Sequence, residues 1–212
     1  MDLIIHPENY TETRLVEELT REAFWDIHVP GCNEHFLLHN LRKSKDFISE
    51  LNLVAEFTGR VVGHIAYTRA VIKQDEGKSI DVTCFGPVSV LPEFQKQGVG
   101  SQLIRHSLGL AKDMGLLAVL IYGDPRYYHR FGFRCAERYD IQTDDGKYAV
   151  ALMALELQPG SLARAAGCFL ESSDFAIDPA AFELFDRTFP LKEKHSGTLS
   201  QLEFSIMSGL RY

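Results

Sequence analysis

Residues 88–103, Val-Ser-Val-Leu-Pro-Glu-Phe-Gln-Lys-Gln-Gly-Val-Gly-Ser-Gln-Leu, constrain this chain more than any other stretch. An apolar run meets a proline, a Gln-Lys-Gln-Gly-Val-Gly loop follows, and a helical pattern starts directly behind it. Gly98 and Gly100 let the backbone turn sharply and let a ligand approach closely. A helix start leaves N–H groups without intrahelical partners, all aimed back at the loop. Together these features make a site for a phosphate or pyrophosphate. Two familiar phosphate motifs do not fit. A dinucleotide-binding turn wants G-x-G-x-x-G, and Leu103 stands where the third glycine belongs. A triphosphate loop wants Gly-Lys-Ser/Thr at its end, and Lys96 precedes both glycines. What remains is Gln95-x-x-Gly98-x-Gly100 at a strand-to-helix junction. An ordinary tight strand–helix connection is the plain alternative.

The formal net charge of −7 argues against general nucleic-acid binding, which needs basic surface. With 45% hydrophobic and 24% charged residues over 212 positions, one packed domain with an appendage is expected. Cys32, Cys84, Cys135 and Cys168 form no C-x-x-C and read as reduced thiols of a cytoplasmic protein. The first residues do not read as a signal peptide, and the longest apolar run, near Leu116–Tyr122, is too short to span a bilayer.

Local patterns give the order β-α-α-β-β-β-α-β-α-β. Leu3–His6 is a first strand. Asn9 or Thr11 caps a helix running to about Trp25, and a second helix covers about Asn33–Lys43. Leu51–Phe57 and Val61–Ile72 are strands joined at Thr58-Gly59-Arg60. Ile80–Leu91 follows the Asp75–Lys78 turn, and the proline in Gly86-Pro87 predicts a bulge or splay there. A helix spans about Gly98–Met114, then Leu116–Tyr122 is apolar throughout, as central parallel strands are. Asp124-Pro125 starts a short helix, and Val150–Leu157 is the last core strand. Beyond Pro159-Gly160 the pattern shifts. A short strand at Gly167–Leu170, a helix from Asp178-Pro179 and another over Thr198–Ser208 are expected in a phenylalanine-rich tail.

The Gln95/Gly98/Gly100 spacing, with Gly86-Pro87-Val88-Ser89-Val90-Leu91-Pro92 before it, resembles the cofactor motif of the GNAT N-acetyltransferase superfamily. Two further passages are similar to a bacterial predicted-acetyltransferase branch: Leu53-Val54-Ala55-Glu56 through His64-Ile65, and Tyr122-Gly123-Asp124-Pro125 with Tyr127-Tyr128-His129-Arg130-Phe131-Gly132-Phe133. The resemblance covers residues 1 to about 157. It implies an α/β fold with a mixed, mostly antiparallel central sheet and helices on both faces. Residues 1–157 would form the acyl-CoA-binding domain, and 158–212 an extension packed on the core or on a partner subunit.

The resemblance also implies acetyl-CoA as co-substrate and a primary amine, a small molecule first of all, as acceptor. The amine attacks the thioester directly in a ternary complex. Gln95, Lys96, Gln97, Gly98, Val99, Gly100 and Ser101 would cradle the pyrophosphate, and Val88, Ser89 and Val90 would run beside the pantetheine arm. A free N–H near Val88 would meet the thioester oxygen. Tyr128 takes the place of the tyrosine beside the cofactor sulfur and is the candidate general acid. No metal is called for: His35 and His39 lie i, i+4, but Phe36 stands where H-E-x-x-H needs glutamate. No base is identified among His64, Glu56, Asp81 and Cys84. His28, Glu34 and His35 stand on the expected substrate wall. A non-catalytic acyl-CoA sensor or scaffold of the same fold, a longer acyl donor, and a protein or tRNA acceptor are the rival readings. A homodimer is compatible with the aromatic tail.

Overall fold

Side-chain alternation along one long strand sorts this molecule into layers. The computed structural model describes residues 1–212 apart from the side chain of Glu76. The chain enters through β1 (Ile4–Pro7), and Asn9 forms a capping box with Glu12 ahead of α1 (Thr13–Phe24) and α2 (Glu34–Leu41). β2 (Leu53–Phe57), β3 (Arg60–Lys73) and β4 (Ser79–Val90) form an antiparallel meander. α3 (Val99–Asp113) leads to β5 (Ala118–Tyr122), and α4 (Pro125–Tyr128) follows directly. β6 (Arg134–Cys135), β7 (Ile141–Gln142), β8 (Leu152–Glu156) and β9 (Gly167–Leu170) complete the strands. α5 (Pro179–Asp186) and α6 (Leu199–Gly209) end the chain.

Among the described residues the sheet has nine strands, in the order β1-β2-β3-β4-β5-β8-β6, with β9 beside the far end of β3 and β7 beside β9. Pairing is antiparallel except for β4–β5 and β7–β9. The mixed, mostly antiparallel sheet is the one expected. On β3, Ile65 and Tyr67 face α3, where Tyr67 Oη lies 2.9 Å from Ser107 Oγ. His64 and Ala66 face the other way, and Ala66 packs with Val16 of α1 and Leu38 of α2. Helices therefore cover both faces. Each is held by the apolar residues that period-two strands present to it.

The expected irregularity at Gly86-Pro87 is present. β4 places two residues between Phe85 and Val88 where β3 places one between Tyr67 and Ile65, so β4 carries the bulge. β6 and β7 were not anticipated, since two residues are too few to show alternation. Residues beyond 157 are built into the sheet: β9 pairs with β3 through Val71↔Leu170, Ile72↔Phe169 and Lys73↔Cys168.

The tail is fastened to the first two helices at several points. Asp186 Oδ1 accepts from Arg21 Nε at 2.9 Å and from His35 Nε2 at 3.1 Å. Trp25 Nε1 donates to the Glu193 carbonyl, and Thr198 Oγ1 and Gln201 Nε2 both donate to the Asp26 carbonyl at the start of α6. Burial pushes the His35 imidazole down to about 4. Arg21 adds to that push, and Asp186 opposes it.

Candidate active site

β4 and β5 pair only at Thr83↔Val119 and Cys84↔Leu120, and then part. Val88, Ser89 and Val90 stay paired to β3 and, among the described residues, have no strand on their other edge. A cleft of about 670 Å³ opens in that gap. Val88, Val90, Gln95, Lys96, Gly98, Val99, Gly100 and Ser101 line it, with Tyr127 and Tyr128 opposite.

The loop is locked by short hydrogen bonds of its own. Gln95 Nε2 donates to the Val90 carbonyl at 3.1 Å, and Gln97 Nε2 donates to the Glu93 carbonyl at 2.7 Å. Gly98, at φ +91°, is the N-cap of α3, and that left-handed backbone suits glycine. The bond from Gln102 N–H to the Gly98 carbonyl follows, 3.0 Å long. The amides of Val99, Gly100 and Ser101 thus lie in the first turn, ahead of any intrahelical acceptor, at the end of the helix dipole that favours anions.

Two of the sequence candidates do not bring their side chains to the cleft. Ser89 is fully buried and its Oγ donates to Thr20 Oγ1 of α1 at 3.0 Å, because alternation turns it away from the face of Val88 and Val90. Gln97 is turned back to Glu93.

Tyr128 is set by the turn after β5. Asp124 caps α4 through Arg126 N–H at 2.8 Å, and Tyr128 N–H donates to the Asp124 carbonyl at 3.0 Å. The ring stands edge-on to Tyr127 and Phe133, with centroids 5.0 and 5.9 Å away. Burial pushes the Tyr128 phenol well above its ordinary range, and Tyr127, Cys84 and Asp124 push the same way. The phenol is therefore a proton carrier at neutral pH.

A second cleft, of about 760 Å³, adjoins the first and shares Phe24, Ile27, Val88, Tyr127 and Tyr128 with it. One wall is the connection between α1 and α2, where His28 Nδ1 lies 2.7 Å from Glu34 Oε1. α6 forms another wall, with Phe204 stacked on the His28 ring at 4.2 Å. Cys84 and Glu171 also line it. The Cys84 thiol donates to Glu171 Oε1 at 3.6 Å.

The remaining candidates separate clearly. His64 is wholly buried on the α1–α2 face, with Nε2 2.6 Å from Asn52 Oδ1 and 3.3 Å from Glu8 Oε2. Glu56 pairs with His6, and Asp81 sits at the opposite end of β4 from the cleft. His35 turns to Asp186 and His39 to Glu17, so the two share no ligand-binding point. His28 and Glu34 do reach the second cleft, and His35 does not. Glu171, Glu203 and Phe204 were missed by sequence reasoning. They lie in the tail, carry no motif, and the one local signal is a carboxylate directly after the apolar strand Gly167–Leu170.

Residues 49–135 match the acetyltransferase (GNAT) domain family. Two curated relatives come from Escherichia coli. YjhQ, an uncharacterised N-acetyltransferase, is 36% identical over 101 residues, covering 47% of this chain and 55% of its own length. YhbS, another uncharacterised N-acetyltransferase, is 32% identical over 107 residues, covering 50% of this chain and 61% of its own. The chain thus spans between half and two thirds of the length of these relatives. The crystal structure of Escherichia coli YhbS in complex with CoA superposes with a TM-score of 0.72 at 25% identity, over 82% of this chain and 91% of that one. A GNAT family acetyltransferase from Brucella melitensis, solved with acetyl-CoA, gives 0.67 at 27% identity, over 82% and 99%.

Proposed function

We propose that this chain, whose residues 49–135 match the GNAT acetyltransferase domain family, is an acetyl-CoA-dependent N-acetyltransferase acting on a primary amine. The observation that carries this reading is the parting of β4 and β5 directly beside an α3 N-terminus with open amides. That gap supplies a strand-like edge at Val88–Val90 for the amide-bearing pantetheine arm and an anion site at Gly98–Ser101 for the pyrophosphate. CoA and acetyl-CoA are the ligands of the two solved relatives. Free thiols at all four cysteines support a reducing, cytoplasmic setting. Among the described residues, no helix is long and apolar enough to cross a membrane.

The chemistry follows from the positions. The amine nitrogen attacks the thioester carbon, the C–N bond forms, and the C–S bond breaks. An unpaired backbone N–H at Val88–Val90 stabilises the oxygen as it gains charge. The departing sulfur takes a proton from Tyr128, whose phenol burial keeps protonated. Tyr128 then regains a proton from the nitrogen that has become an ammonium.

Calorimetric titration with acetyl-CoA tests the cofactor half. Micromolar binding, on the order of −8 kcal/mol, is expected for the wild type. Gly100→Glu should abolish it. A Cβ there has room, at 3.5 Å from Tyr127 Oη and Val90 Cγ2, but the added carboxylate projects into the anion site. A wild type that does not bind overturns the reading. Binding without CoA release for any amine favours the sensor instead.

A further inference from the structure

The lining of the second cleft carries a carboxylate, Glu171, that is paired with no cation among the described residues. Four acidic side chains line that cleft. Glu34 is engaged by His28 and by the Asn33 amide, and Asp124 by Arg126 and the start of α4. Glu203 is exposed on the face of α6. Glu171 is half-buried and, among the described residues, has no ion-pair partner. Its one donor is the thiol of Cys84, a weak hydrogen-bond group. Cys84, Glu171 and Tyr128 all line this cleft. The carboxylate thus shares its cleft with the phenol that lines both clefts.

We infer that Glu171 receives the ammonium of the acceptor and takes its first proton, so that the substrate is a cationic primary amine docked through the second cleft. This rests on the transferase reading given above. A half-buried carboxylate gains more from a charged N–H donor than from a thiol. An alkylammonium of pKa about 10.4 cannot attack until it loses that proton. The proton balance closes. The ammonium gives one proton to Glu171, which releases it to solvent. The tetrahedral nitrogen gives a second, by way of Tyr128, to the CoA sulfur.

The groups around Glu171 suit it to the task. Burial pushes its carboxyl above the usual range, Asp144 after β7 pushes the same way, and the Cys84 thiol on β4 opposes them. Tyr122 on β5, near Arg211, feels the Glu171 charge and is itself held protonated by burial. A carboxyl raised toward neutrality is a better base for this step than an exposed one.

Glu171→Gln and Glu171→Asp are compared with the wild type using 2-phenylethylamine, hexylamine and a lysine-ended peptide as acceptors. Acetyl-CoA affinity should stay within about twofold in both, since Glu171 does not line the first cleft. In Glu171→Gln, kcat/KM at pH 7 should fall on the order of 10²–10³-fold, with Glu171→Asp intermediate. The acid limb of the wild-type pH profile should vanish in Glu171→Gln, whose rate should instead climb toward the pKa of the amine. A glutamine variant within about threefold of wild type at every pH overturns the assignment. So does a wild type that binds acetyl-CoA but acetylates none of these amines. A wild type that does not bind acetyl-CoA at all fails the transferase reading itself, and this assignment with it.

Discussion

The ring of Tyr128 lies where Gly123 would carry a Cβ: an added methyl would overlap the ring carbons Cδ2 and Cε2. The bare backbone at the end of β5 is what lets the phenol reach the point where the two clefts meet. Gly123→Ala should displace the ring and lower kcat by roughly 10²-fold, the usual effect of moving a reacting group by about 1 Å. Acetyl-CoA affinity should hold. Parallel kcat and binding measurements decide it.

Tyr128→Phe keeps the ring packed between Tyr127 and Phe133 and removes only the O–H. Turnover should drop by about 10²–10⁴-fold with little change in unfolding temperature. Undiminished turnover with a good acceptor would remove Tyr128 from the mechanism.

Gly98→Ala should weaken acetyl-CoA binding through the backbone alone. A Cβ there meets open space, so the cost is that of holding an L-residue at φ +91°, about 1–2 kcal/mol. Gly98→Asn should be milder, since asparagine visits this region more readily. Equal affinity in Gly98→Ala would mean that the loop does not need this conformation.

Acid should loosen the tail before the core. His35 ionises near 6.5 when free and at about 4 in the fold, so the unfolded chain binds the extra proton between those values. The stability this provides is complete above pH 6.5 and is lost as pH falls toward 4, on the order of 3 kcal/mol in all. His35→Phe, placed among Phe182, Phe185 and Phe189, should flatten the dependence. Denaturant midpoints measured across that range, for both proteins, give the answer. A wild-type midpoint constant from pH 7 to 4 would contradict it.

What the sequence disclosed was local. The left-handed turn at Gly98, the Asp124-Pro125 helix start and the Gly86-Pro87 bulge each depend on a few adjacent residues, so each could be read from them. Strand alternation was also available: it turns the Ser89 side chain away from the face of Val88 and Val90, while the edge the three residues offer is backbone. Glu171 was not available by any such route. It meets Cys84 across 87 residues of sequence, and only the pairing of β9 with the far end of β3 brings the two together. The same holds for Phe204 on His28, a contact that α6 owes to its fastening at Asp26.

The two clefts touch at Val88, Tyr127 and Tyr128 but are drawn from different parts of the chain. The first takes its distinctive wall from residues 94–101, and the second takes much of its own from residues 171–211. The wall that sets each cleft apart is therefore carried by a different segment of the chain. Changes confined to residues 171–212 would reshape the second cleft and leave the 94–101 wall of the first as it stands, with Tyr127 and Tyr128 as the seam between them.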